Sequence, residues 1–190
     1  MNKYSRFLTI GILVLGFFSS ILVTAAEDPL VLRRQTLIVR DIDKSLAVYR
    51  DAIGMTVIYD QIIKRAGAPG EKPQEIRLVF LKATNDYIGV LGLVDYQYID
   101  PKHPDHTKQV RQEGFTPGNA IVLFNTTELA ARWERISKAP GVSVIFPPRY
   151  REYPDYSGKG IIRVSSSSFY DPDGFIVEFN QPMDEINTKK

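Results

Sequence analysis

The chain has 190 residues, no cysteine, 24 Lys and Arg against 22 Asp and Glu, and 44% hydrophobic residues. Without cysteine there is no disulfide, no thiolate metal ligand and no cysteine nucleophile. Near-balanced charge leaves no basic surface to argue for a nucleic-acid partner.

Lys3 and Arg6 precede an apolar run from Phe7 to Val23, followed by Thr24, Ala25, Ala26 and acidic Glu27. That order is the pattern of a secretory signal peptide over residues 1–26, so export to a periplasm or the exterior is expected. The run is short for a membrane span of ~20 residues. An uncleaved N-terminal anchor is the alternative, and it is the one route to a membrane partner. Removing residues 1–26 takes two basic residues from 24 and no acid from 22, leaving 22 of each. The remaining 164 of 190 residues suit one domain with a full core and a small, neutral or weakly charged partner.

Residues 31–39 alternate branched aliphatics and predict a strand. Asp41 then caps a helical pattern carrying Leu46, Val48, Tyr49 and Ile53, closed by Gly54. Residues 55–63, 75–81 and 87–94 read as three further strands, punctuated by the 66–70 Gly/Pro cluster and a turn at Thr84, Asn85 and Asp86. Residues 96–117 hold Pro101, Pro104 and Pro117 with no clean period, which predicts a linker or lid closing over a cavity. Both histidines, His103 and His106, sit there. A transition-metal pair is one reading of them, but no third ligand is near, and a solvated loop is the expectation.

The β-α-β-β-β order then recurs: a strand at 120–124, a helix from Thr127 to Lys138, and strands at 142–146, 161–165 and 175–179. A repeated unit of this size, about 50 residues, usually defines an architecture. Trp133 joins Leu129 and Ile136 at helical spacing as core. Ser165 to Ser168 read as a strand edge and its turn, without a histidine to make a nucleophile. The aromatic and basic stretch 147–156 reads as a loop anchored by its rings, with stacking on an aromatic ligand or a nucleobase as the alternative. Asp171, Pro172, Asp173 and Gly174 form a turn with a structural role.

Two segments, one from Val39 through Asp41 to Gly54 and one from Asp171 to Phe179, resemble the vicinal-oxygen-chelate superfamily, which includes glyoxalase I, extradiol dioxygenases and bleomycin-resistance proteins. The resemblance implies an α+β fold of two βαβββ modules, each half a barrel, facing each other around a cavity within one chain or across a homodimer. Module one would span about 30–96 and module two about 118–182, in a domain 27–185 with a tail at 186–190. It also implies a divalent metal held by side chains from the first and last strands of each module. Counting back from Asp41 puts the first such position on Arg34. The others fall on Leu91 or Gly92, on Asn119 or Ile121, and on Glu178. Only Glu178 is a usual ligand. Gln35 is an alternative partner for it, although strand alternation turns Gln35 to the opposite face with Leu37, and Asp95 is a displaced candidate.

The expectation is therefore no metal cofactor, with a divalent ion on Gln35 and Glu178 as the alternative. The expected ligand-binding residues are Arg34, Thr36, Asn119, Ile121 and Glu178, and Glu178 is the catalytic candidate. Arg34 would supply the missing positive charge, pairing Glu178 or holding an anionic ligand. Two functions follow: an exported binding protein for a small organic molecule, or an enzyme. The enzyme would be a metal-dependent lyase or dioxygenase with an atypical ligand set, or a metal-free isomerase with Glu178 as base.

Overall fold

The computed structural model describes residues 30–100 and 102–184, with only the backbone of Pro104 and Asp105. The chain divides into Met1–Val31 and Leu32–Lys190. The signal peptide expected at 1–26 and the tail at 186–190 lie outside the described residues.

Module one consists of β1 (Arg34–Ile38), α1 (Ile42–Leu46) running on as a π-helical segment (Ala47–Ala52), β2 (Thr56–Arg65), β3 (Gln74–Lys82) and β4 (Val90–Asp95). A short helix, α2 (Pro104–Thr107), interrupts the connection. Module two repeats the order with β5 (Ile121–Asn125), α3 (Leu129–Ile136), β6 (Ser143–Pro154), β7 (Ile161–Tyr170) and β8 (Ile176–Pro182). The two sheets run β1-β4-β3-β2 and β5-β8-β7-β6. The lead strand lies parallel to the last in each, and the other neighbours are antiparallel. These are the two βαβββ-like modules of an α+β fold. In module one, Asp41 accepts from the backbone N–H groups of Asp43 and Lys44 at the helix start. Gly54, with φ of 91°, takes the left-handed turn after the helix.

One core spans both modules. Leu37, Val79, Leu81, Leu91 and Leu93 of the first sheet and Phe169, Val177 and Phe179 of the second bury against Val48, Tyr49, Leu129 and Ile136 of the helices. Polar joints cross the seam. Tyr49 Oη donates to Asp171 Oδ2 at 2.9 Å, and the Arg40 backbone N–H donates to Asp173 Oδ1 at 3.1 Å. The guanidinium groups of Arg132 and Arg135 donate to the carbonyls of Ile53 and Ala52, at the negative end of the first helix. Replacing Arg132 or Arg135 by Met should lower stability by about 1 kcal/mol each, read as a lower urea midpoint at unchanged slope.

Two sequence readings are corrected. The stretch 147–156 is not a loop: β6 continues to Pro154. The register shift between Phe146 and Arg149 absorbs Pro147 and Pro148, which have no N–H for the ladder, and a further shift lies between Val144 and Phe146. The serine run is not a strand edge either. Ser166, Ser167 and Ser168 are buried in β7, between β6 and β8. Ser167 and Ser168 donate their hydroxyls to the carbonyls of Phe179 and Val177, so burial leaves them satisfied.

Candidate functional site

The pleat sorts each first strand into two faces. Leu37 turns into the core, while Arg34, Thr36 and Ile38 share the opposite, exposed face. Register then fixes equivalent rungs. Thr36 pairs with Gly92 and Arg34 with Val90. Leu123 pairs with Glu178 and Ile121 with Ile176. In each module the bond three residues further on, Val39 N–H to Val94 O or Thr126 N–H to Asn180 O, repeats the same offset. Gly92 is therefore the module-one counterpart of Glu178, and Ile121 that of Arg34. Leu91 is excluded from that rung because it is buried in the core. Asn119 precedes β5 and uses its amide to tie down the loop, donating to Gly114 O and Thr116 Oγ1.

The space at Gly92 is already taken. A Cβ there would meet Thr36 Oγ1 at 2.7 Å, Thr36 Cγ2 at 3.2 Å and Arg34 Cδ at 3.3 Å. Arg34 reaches across the glycine. Its Nε donates to Thr36 Oγ1 at 3.1 Å, and its guanidinium carbon sits 4.0 Å from the centroid of the Phe80 ring. Phe80 stacks in turn on Tyr59 at 4.8 Å. Glu178 is half-buried on the other sheet, where Asn180 Nδ2 donates to it at 3.4 Å. Among the described residues, no ion pair joins Arg34 to Glu178 within the chain. The expected pairing is not made, because the aromatic ring offers the guanidinium a nearer seat.

A cavity of about 690 Å³ opens between the modules. Its polar rim comes from Arg33, Arg34, Gln35, Thr84, Asn119 and Asn125, and its apolar wall includes Met55, Leu91, Ile121, Leu123, Phe124 and Phe175. The structure thus brings Arg34, Gln35, Asn119 and Ile121 to one cavity. Thr36 supports Arg34 from outside it, and Glu178 does not line it. Arg33, Thr84 and Asn125 were missed, since no motif marks them. Strand alternation around Arg34 and Ile121 was the one usable signal.

A second cavity, about 430 Å³, is lined by Arg40, Asp41, Asp43, Asp95, His106 and Asp173. Arg40 lies 3.7 Å from Asp173 and Lys44 3.5 Å from Asp41, Arg77 reaches Asp43 from outside the lining at 2.8 Å, and His106 Nε2 lies 3.6 Å from Asp95. Burial raises the carboxyl pKa of both Asp95 and Asp173. Arg40 also donates to the carbonyls of Lys108 and Gln109, pinning the linker. His106 is therefore not on a solvated loop; it packs against buried Asp95. Among the described residues, no group of three or more His, Asp or Glu is placed to hold a metal ion.

Comparison with known proteins fits this geometry. Residues 31–179 match the family model of the Glyoxalase/Bleomycin resistance protein/Dioxygenase superfamily. The chain belongs to that superfamily. Among solved structures, a glyoxalase family protein from Bacillus cereus is 13% identical with a TM-score of 0.58, over 84% of this chain and 99% of that one. The V278E mutant of glyoxalase I from Zea mays is 20% identical with a TM-score of 0.51, over 79% of this chain and 45% of that longer one. No curated protein sequence matches.

In this superfamily member, the residues at the inward positions do not fit a divalent ion. Arg34 and Ile121 are not metal ligands, Gly92 offers no side chain, and its space is filled. Gln35 shares the strand face of Leu37 and lines the seam cavity, which Glu178 does not, so the alternative pair does not converge.

Proposed function

We propose that this superfamily member is an exported binding protein that holds a small organic molecule in the cavity between its modules without a metal. One observation carries the reading: the rung opposite Thr36 is a glycine, and Arg34 is laid across it onto Phe80. A fixed cation thus stands where a metal-binding member would converge its ligands. The cavity is within the size range of small-molecule sites, about 300–1,000 Å³, and has their mixture of apolar wall and few polar groups. A homodimer is part of the proposal. β1 and β5 are edge strands whose open ladder groups a second copy can pair, and Ile38, exposed on β1 and outside the cavity, adds apolar surface for it to cover.

The second reading, a metal-free isomerase, draws on Glu178, a half-buried carboxylate with no cation at ion-pair distance among the described residues. Such a group is available to take a proton. Elemental analysis and native mass spectrometry of protein purified without chelator separate these readings from a metalloenzyme. Far less than one metal per chain, unaltered by Glu178→Ala, is expected. A stoichiometric metal that disappears in Glu178→Ala would overturn the proposal. Proton exchange into a carbonyl compound that stops in Glu178→Gln would establish the isomerase.

A further inference from the structure

We infer that the seam cavity selects a carboxylate-bearing molecule with a flat or flexible apolar body, and that Arg34, with Arg33 beside it, reads the carboxylate. The inference rests on the proposed binding function and names the chemical class of its ligand.

The charge pattern is one-sided. The cavity is lined by two arginines, three carboxamides and a threonine, and by no aspartate or glutamate. Several arginines elsewhere in the domain are answered by carboxylates, Arg77 by Asp43 and Asp60, Arg163 by Asp184, Arg132 by Glu128, and Arg40 by Asp173, whereas Arg149, outside the cavity, lies over the Phe146 ring. Among the described residues, Arg33 and Arg34 have no carboxylate within ion-pair distance. Each lies instead over a ring, Arg33 at 4.8 Å from Tyr87 and Arg34 at 4.0 Å from Phe80.

Stacking leaves the guanidinium edge available. Arg34 spends Nε on Thr36, while its two terminal nitrogens make no hydrogen bond among the described residues. A guanidinium fixed by a ring on one face and a hydroxyl at Nε is pre-organised, so little rotamer entropy remains to be lost when an anion docks on its outer edge. A planar carboxylate can accept both terminal N–H groups in the two-pronged geometry that a neutral amide cannot match. Beyond the rim the wall is apolar, and Ile121 and Leu123 on β5 are about half exposed, at 46% and 54%. That surface suits a hydrocarbon body attached to the carboxylate. An ammonium head group would face two uncompensated cations and is disfavoured.

The test is isothermal titration of the full chain with three probes that share one body: 2-naphthoate, 2-naphthamide and 2-naphthylmethylammonium. Naphthoate should bind about tenfold or more tighter than naphthamide, as a charge-assisted bond predicts, and the ammonium should not bind. Arg34→Gln should abolish the preference, bringing naphthoate down to the level of naphthamide. Ile121→Trp, which fills the cavity, should weaken both. If acid and amide bind equally, or Arg34→Gln leaves their ratio intact, the carboxylate inference is overturned while the binding function stands. If no probe binds, both fall. Circular dichroism of each variant, matching that of the parent, assigns any loss to the site rather than to unfolding.

Discussion

Asp171→Ala should lower the stability of the domain by about 3–5 kcal/mol, the largest effect expected from any single polar substitution here. The carboxylate is almost fully buried. It accepts from the backbone N–H groups of Asp173 and Phe175, each at 2.9 Å, and from Tyr49 Oη at 2.9 Å. Truncation strands two N–H groups and a wholly buried phenol, and it cuts a joint between the modules. Asp171→Asn is different. Its carbonyl oxygen keeps both backbone bonds, and its NH2 group donates to Tyr49 Oη once the phenol rotates its proton away. The rotated O–H then has no acceptor among the described residues, so a loss of about 1–2 kcal/mol, smaller than that for alanine, is expected at neutral pH.

The pair also predicts an unusual pH dependence. Burial raises the Asp171 pKa from 3.8 to about 6, against hydrogen bonds that pull it down. The folded state therefore binds a proton more tightly than the unfolded chain does. The stabilising contribution is complete below about pH 3.8, is lost as pH rises to about 6, and is constant above. The difference is about 3 kcal/mol at 1.36 kcal/mol per pKa unit. Asp95 and Asp173, raised by the same cause, slope the same way. Lowered carboxylates such as Asp60 and Asp184 slope oppositely, each against a partly exposed arginine pair that solvent screens. Urea unfolding of the parent and of Asp171→Asn between about pH 4 and 7 should show that slope flattened in the variant; parallel curves would refute the assignment.

This joint also shows how far the sequence could be read. Asp171 to Gly174 is legible as a turn, and Asp171 does hold the two N–H groups of that turn. Its third partner, Tyr49, is 122 residues away, and no local pattern reports it. The module order was legible because Asp41 caps, Gly54 stops, and hydrophobic period switches between helix and strand. The length of β6 was not, because the prolines that mark loops elsewhere are housed here in bulges. Nor was the burial of the serine run, since its hydroxyls are satisfied by carbonyls of a neighbouring strand. At the site, strand alternation correctly sent Arg34 and Thr36 to one face. It could not say where a long, flexible guanidinium would settle, and Phe80 decided that.

Gly92→Val should lower stability by about 2 kcal/mol, although valine is the better strand residue by propensity. The first obstacle is rigid: Thr36 Oγ1 and Cγ2 lie 2.7 and 3.2 Å from the new Cβ, on a β-branched side chain with little rotamer freedom. The second, Arg34 Cδ at 3.3 Å, can move, but only by lifting its guanidinium off Phe80. Thr36→Ala removes the rigid obstacle, so it should cost little alone and recover at least about 1 kcal/mol in the Gly92→Val background, a coupling typical of residues in contact. Additive losses would mean that the glycine is needed for another reason. The same crowding bears on the absent metal set. A carboxylate placed at residue 92 would arrive beside the Arg34 guanidinium and pair with it, neutralising the cation on which the proposed site depends. Gly92→Glu should therefore gain no metal, measured by elemental analysis, and should lose the preference for naphthoate over naphthamide.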